Sequence, residues 1–202
     1  RFTDLYVQWI KSARIVLTIG KQSTPFTLDG ATSSREILTI DRSNLANNLW
    51  FPQEYIPGVS VSGRRAPWIY RMGVYSAGGA NRELGRFSGG ALALGVLGYD
   101  FSRSLGVKEA LLTGNYVYQH PDRDNTFTRQ LEHVGSINFR FEDGRWGARG
   151  DLALASGYLG QSDLWAVQAM PFVNAPAKLQ FVLRSTRIDS DAPNGVRLGP
   201  CE

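Results

Sequence analysis

The chain has almost no cysteine, little lysine and no long apolar run, and each shortage excludes something. The single Cys201 lies one residue from the end of the 202, so an intrachain disulfide is excluded, while the redox compartment stays open. No stretch nears the roughly 18 consecutive apolar residues of a transmembrane helix. A membrane β-barrel is not excluded, because its strands alternate and their mean hydropathy stays near that of a soluble protein. The 22 cations comprise 18 Arg and 4 Lys and are dispersed, with no basic run to mark a nucleic-acid partner. There are two His, and neither His120 nor His133 has another ligand at metal-binding spacing.

Signatures of catalysis and of cofactor binding are equally sparse. Asp122-x-Asp124 opens like a calcium loop but lacks its Gly and terminal Glu, and Gly20-Lys21-Gln22 is not a phosphate-cradling loop. The glycines from Gly89 to Gly98 precede no helix that could bind a dinucleotide, and no Gly-x-Ser-x-Gly elbow occurs. The expectation is a protein that is not an enzyme and holds neither cofactor nor metal.

Glycine, at 22 residues, and aromatics, at 11%, are plentiful, and 43% of residues are hydrophobic. That is enough to fold, and the bias leans towards β-structure. Period-two alternation confirms the lean. In 131–142 the odd positions run Leu131, His133, Gly135, Ile137, Phe139, Phe141, and the even ones carry Glu132, Ser136, Asn138 and Arg140. A turn at Glu142-Asp143-Gly144 leads to 145–155, with Trp146, Leu152 and Leu154 opposed to Arg149 and Asp151. Similar runs begin near Asp4, Arg14, Gly58, Trp68, Ser88, Val107, Asp163 and Ala177, giving about ten strands. Short turns, as at Ser12-Ala13, alternate with long polar loops. Within Gly89–Phe101 both faces are apolar or small and the pattern shifts phase near Gly95, which predicts a bulge.

One stretch breaks the alternation. Ile37, Leu38, Ile40, Leu45 and Leu49 follow Ser33-Ser34-Arg35-Glu36 at a spacing more helical than stranded, and Ser33 with Glu36 could form a capping box. A short helix or irregular excursion is expected inside one domain, 1–202, as an insertion at about 22–57. Loops of this length in an all-β protein are usually functional.

The expected fold is all-β, an antiparallel up-and-down meander. Two architectures fit it. A soluble or surface β-sandwich would bind ligands through its long loops. A transmembrane barrel would turn the apolar face to lipid, and strands of ten to twelve residues, alternating turn lengths and aromatics near strand ends favour it.

Several short motifs carry a resemblance. Ile15-Val-Leu-Thr-Ile-Gly20 runs on to Pro25-Phe26, followed by Thr32-Ser-Ser-Arg35, Asp41-Arg42-Ser43 and Pro57-Gly-Val-Ser-Val-Ser-Gly63. Later come Gly85-Arg86-Phe87 and Arg184-x-x-Arg187-x-Asp189. Together these resemble the phosphate-selective porins O and P. The resemblance implies a barrel of about sixteen strands in the outer membrane of a Gram-negative-type bacterium, forming homotrimers, of which this chain would be an internal fragment. Its partners would be the lipid bilayer and small anionic solutes that diffuse passively.

In that family the long loop after the Pro-Phe turn narrows the barrel, and the matching positions here are Arg35 and Arg42, expected to contribute most to anion preference. The alternation adds Arg14, Arg71, Arg140, Arg149, Lys178 and Arg184 on the polar face as candidate pore-lining residues, alongside Asp4, Glu109, Glu132 and Asp151. For most strand arginines an equally good reading is pairing with a neighbouring carboxylate, such as Arg149 with Asp151 or Arg140 with Glu132.

Overall fold

The computed structural model describes residues 4–49, 55–76, 90–125, 128–176 and 179–197. Within them the chain forms one open antiparallel sheet. Its strands are β1 (Leu5–Ser12), β2 (Ile15–Ser23), β3 (Tyr55–Arg65), β4 (Trp68–Ser76), β5 (Ala91–Asp100), β6 (Glu109–Gln119), β7 (Leu131–Asp143), β8 (Trp146–Gly157), β9 (Leu164–Ala175), β10 (Leu179–Val182) and β11 (Ser185–Ser190). Each strand pairs with the next in sequence from β1 to β10, and β11 pairs with β9. A sandwich needs a second sheet facing the first. The described strands form a single sheet, which removes the sandwich alternative.

The split between β10 and β11 has a local cause. Both pair with β9 in one unbroken register, Val182 opposite Phe172 and Ser185 opposite Ala169. Between them Leu183 donates its N–H to the Pro171 carbonyl at 3.1 Å, and proline has no N–H to return. The ladder loses one bond there, so a single strand is divided into two. Counted by register, the sheet has the expected ten.

Short connections gather at one end of the sheet and long ones at the other. The tight hairpins lie one residue later than the sequence suggested. Ser12 pairs with Ile15, leaving Ala13-Arg14 as the turn, and Asp143 pairs with Trp146, leaving Gly144-Arg145. Gly144 adopts φ 55°, the left-handed geometry such a turn requires at its first position. The β5–β6 connection carries a four-residue helix, α2 (Ser102–Leu105), which the alternation did not reveal.

The pairing at Gly95 runs without a shift on both sides, so the expected bulge is absent. Both faces of β5 are apolar for another reason. Its odd residues lie on the open face, while Leu92 and Leu94 are buried on the other beneath a chain segment that covers it. The register shifts instead near the end of β1, between Ile10 and Ser12, and at the start of β7, between Leu131 and His133, where it turns Leu131 into the core.

The two faces differ in kind. The open face exposes Val7, Ile19, Val59, Met72, Leu97, Ile137, Leu152, Leu154 and Val167 in a continuous apolar band. Aromatics edge this band at both ends. At the turn end Trp68 meets Tyr99 edge-on at 4.8 Å, and at the other Tyr118 lies 5.3 Å from His133. Such breadth of exposed apolar surface demands an apolar surrounding. The covered face is polar in its middle, with Thr113, Asn138, Asp151 and Gln168 side by side in one cross-strand row. At its long-loop end it is apolar, where Phe26, Leu45, Leu49 and Ile56 pack against Leu92, Leu94, Val117, Val134 and Leu164.

Candidate functional site: a bridged polar wall

The segment after β2 lies across the covered face. Most of it is irregular; Glu36 and Ile37 donate to the Ser33 carbonyl at 2.8 and 3.2 Å, which makes a single turn in place of the expected capping box. The one helix among its described residues, α1 (Asn44–Leu49), begins later. Ser43 starts it, accepting from Ala46 N–H on its hydroxyl at 3.3 Å and from Asn47 N–H on its carbonyl at 3.1 Å. Leu45 and Leu49 are buried in the core, whereas Ile40, expected on the same apolar face, is fully exposed.

Polar groups on β7, β8 and β9 hold the segment in place. The Asp151 carboxylate accepts from Leu28 N–H at 2.6 Å and from the Ser136 hydroxyl at 2.6 Å. The Asp29 carboxylate accepts from Ser43 N–H at 3.0 Å and from the Gln168 amide at 3.3 Å. Both carboxylates are buried, and buried charge is tolerated only when its lone pairs are taken up in this way.

The arginines divide by what they touch. Arg140 donates to the Thr32 hydroxyl at 2.6 Å, and Arg149 to the Glu36 carbonyl at 3.3 Å. Arg184, in the break between β10 and β11, donates to the Thr39 hydroxyl at 2.8 Å and the Asp41 carbonyl at 2.6 Å. Arg42 turns back on its own segment, donating to the Asp29 carbonyl and, at 3.0 Å, to the Thr32 carbonyl. Arg35 is exposed on the segment. Arg14 sits in the β1–β2 turn, off the strand face, where its carbonyl accepts from the Tyr70 hydroxyl. Lys178 lies outside the described residues.

Among the described residues the ion pairs are Arg64–Asp100, Lys108–Glu142, Arg187–Asp189 and the close contact of His133 with Glu132. Arg149 therefore does not pair with Asp151, nor Arg140 with Glu132. Arg149 and Asp151 are two apart on β8 and share a face, but the segment offers Arg149 another oxygen; Glu132 and Arg140 stand at opposite ends of β7, roughly 26 Å apart along the strand and out of reach of each other.

Between the segment and β2–β7 a cavity of about 510 Å³ remains, running from the turn end of the sheet to Pro25 and Ala31. Arg71 and Arg140 line it with Asn115, Asn138 and Thr113. The Arg71 Nε and Asn115 Nδ2 atoms are buried and form no hydrogen bond. Guanidinium groups beside amide and hydroxyl side chains suit a hydrated anion.

Two participants escaped the sequence reading. Asn115 looks like any polar residue on an alternating strand. Arg129, in the loop before β7, is buried, and its guanidinium donates to the Asn48 carbonyl, to Gln161 Oε1 at 2.9 Å and to the Gly195 carbonyl at 2.8 Å. Burial, with the nearby Arg197 charge, pushes its pKa down to about 10. No spacing in the sequence announces that convergence of three loops.

The family model of the phosphate-selective porins O and P matches residues 1–175 of the chain. No curated protein and no solved structure matches it. The match covers all of β1–β9 and the covering segment, and the chain belongs to that family of outer-membrane channel proteins.

Proposed function

We propose, with that membership as premise, that the chain builds the wall and constriction of a passive outer-membrane channel with a modest preference for small anions such as phosphate. The observation that carries this is the cavity between the covering segment and β2–β7, lined by the cations Arg71 and Arg140 with the polar Asn115, Asn138 and Thr113. A fixed cation in a narrow, poorly hydrated passage replaces part of an anion's hydration and repels cations. The covering segment plays the narrowing part, with Arg35 as its exposed charge and Arg42 shaping its backbone. Arg140, Arg149 and Arg184 add positive potential while they hold the segment. Trimeric assembly in the membrane belongs to the same proposal.

The test is the reversal potential of the full-length channel in a planar bilayer under a salt gradient. Arg71→Gln and Arg35→Gln together should lower the anion-to-cation permeability ratio by at least about twofold. A ratio unchanged in this double variant would remove the cavity from the permeation path.

A further inference from the structure

The turn end of the sheet carries exposed cations that the channel reading leaves unused. Lys11, Arg65, Arg103 and Arg145 are all exposed, and none has an ion-pair partner among the described residues. Two acids at this end, Asp100 and Glu142, are taken by Arg64 and Lys108, both at 2.6 Å. Asp143 is the exposed carboxylate left beside them.

Each of these cations has an exposed aromatic residue close to it, across the ladder or in the chain. Arg65 is the direct cross-strand partner of Trp68, and Arg145 precedes Trp146 in the chain. Lys11 is two residues beyond Trp9, and Arg103 two beyond Phe101. The rings are 38% to 68% exposed and lie at the rim of the apolar band.

That closeness along the chain and the ladder sets the depth of the charges. Tryptophan at the border of a membrane-facing surface sits at headgroup level. A cation within two residues of it therefore lies at the level of the lipid phosphates, where juxtamembrane Lys and Arg attract anionic lipid. A soluble anion or an anionic polymer would require the charges but not the rings.

We propose that this rim binds the headgroups of anionic phospholipids in the leaflet on the turn side, with Lys11, Arg65, Arg103 and Arg145 as the phosphate contacts. The proposal rests on the outer-membrane channel reading for its placement in a bilayer. It does not depend on what the channel conducts.

The experiment uses the full-length protein in nanodiscs of phosphatidylcholine and phosphatidylglycerol in equal amounts, with the lipids retained after transfer to detergent counted by native mass spectrometry. Phosphatidylglycerol should be enriched, and the variant Lys11→Gln/Arg65→Gln/Arg103→Gln/Arg145→Gln should lower the enrichment about tenfold or more. Two double variants, K11Q/R65Q and R103Q/R145Q, should each lose part of it, which keeps the test decisive if the quadruple variant does not refold. Equal retention of both lipids by the unaltered protein would overturn the proposal. So would unchanged enrichment in the variants, or displacement of the lipid by millimolar inorganic phosphate or by soluble peptidoglycan fragments. Conductance is measured in parallel: a protein that enriches the lipid but does not conduct refutes the channel reading alone, and the reverse refutes the rim alone.

Discussion

Arg140 and Arg149 are direct cross-strand partners on the covered face, two guanidinium groups set side by side. Like charges in this position repel. They are reconciled because each donates to a different oxygen of the covering segment, Arg140 to Thr32 and Arg149 to Glu36. The pair thus gains its stability from the segment, and the segment gains its position from the pair. Replacing Arg149 with Gln should remove the repulsion together with a weak 3.3 Å bond, leaving thermal stability within about 0.5 kcal/mol of the original. Replacing Arg140 with Gln should loosen the segment and raise open-channel current noise. Heat-modified gel mobility and single-channel recording measure the two effects.

Asp151 is the most consequential anchor. Asp151→Ala strands the Leu28 N–H and the Ser136 hydroxyl in a buried site, at a cost of about 1–3 kcal/mol each where no water enters. Asp151→Asn keeps an acceptor and should cost less. Limited proteolysis should cut within residues 28–42 faster in the alanine variant, and cutting equal to the unaltered protein would show that the apolar packing of Phe26 and Leu45 suffices alone.

Arg129 fastens three loops at the far end. Its pKa is held down to about 10 by burial, so it stays charged throughout ordinary buffers. The sign follows directly. A cation whose folded pKa is depressed opposes folding below that value, and the penalty is relieved only as pH rises above about 10 towards the higher unfolded value. The latch should therefore contribute equally from pH 5 to 9, where folding neither binds nor releases a proton at Arg129. Arg129→Met should lower the unfolding midpoint, since Asn48, Gln161 and Gly195 each lose a donor. A midpoint that moved with pH only in the unaltered protein would contradict this.

Pro171→Val should join β10 to β11. The new N–H faces the Leu183 carbonyl in a ladder whose register is already continuous. A gain of about 0.5–1.5 kcal/mol is expected, with slowed hydrogen exchange at residue 171. Exchange as fast as in a loop would mean that the break has another cause.

The strands were legible because each half-covered strand must alternate, and the alternation of 131–142 and 145–155 survives almost residue for residue. Failures fell where a long-range contact overrode the local rule. Gly95 seemed a bulge because periodicity cannot see a segment about sixty residues away covering Leu92 and Leu94. Pairing of Arg149 with Asp151 was one of two readings because the two are neighbours in sequence, whereas the Glu36 carbonyl that Arg149 meets is brought in by the fold. The excursion after β2 was recognisable as irregular, and its helix was misplaced because burial of Leu45 and Leu49, not local capping at Ser33, decides where it forms.

The covering segment also sets an order of events. It follows β2, yet its bonds to Asp151, Arg140, Arg149, Gln168 and Arg184 close loops of 108 to 145 residues. Closing such loops is slow and unrewarded until the distant strands exist. The wall must therefore stand as far as β9 before the passage can narrow. A wall caught midway in assembly lacks the anchors that hold its passage narrow, and a defect in the late strands would be felt first as a leak.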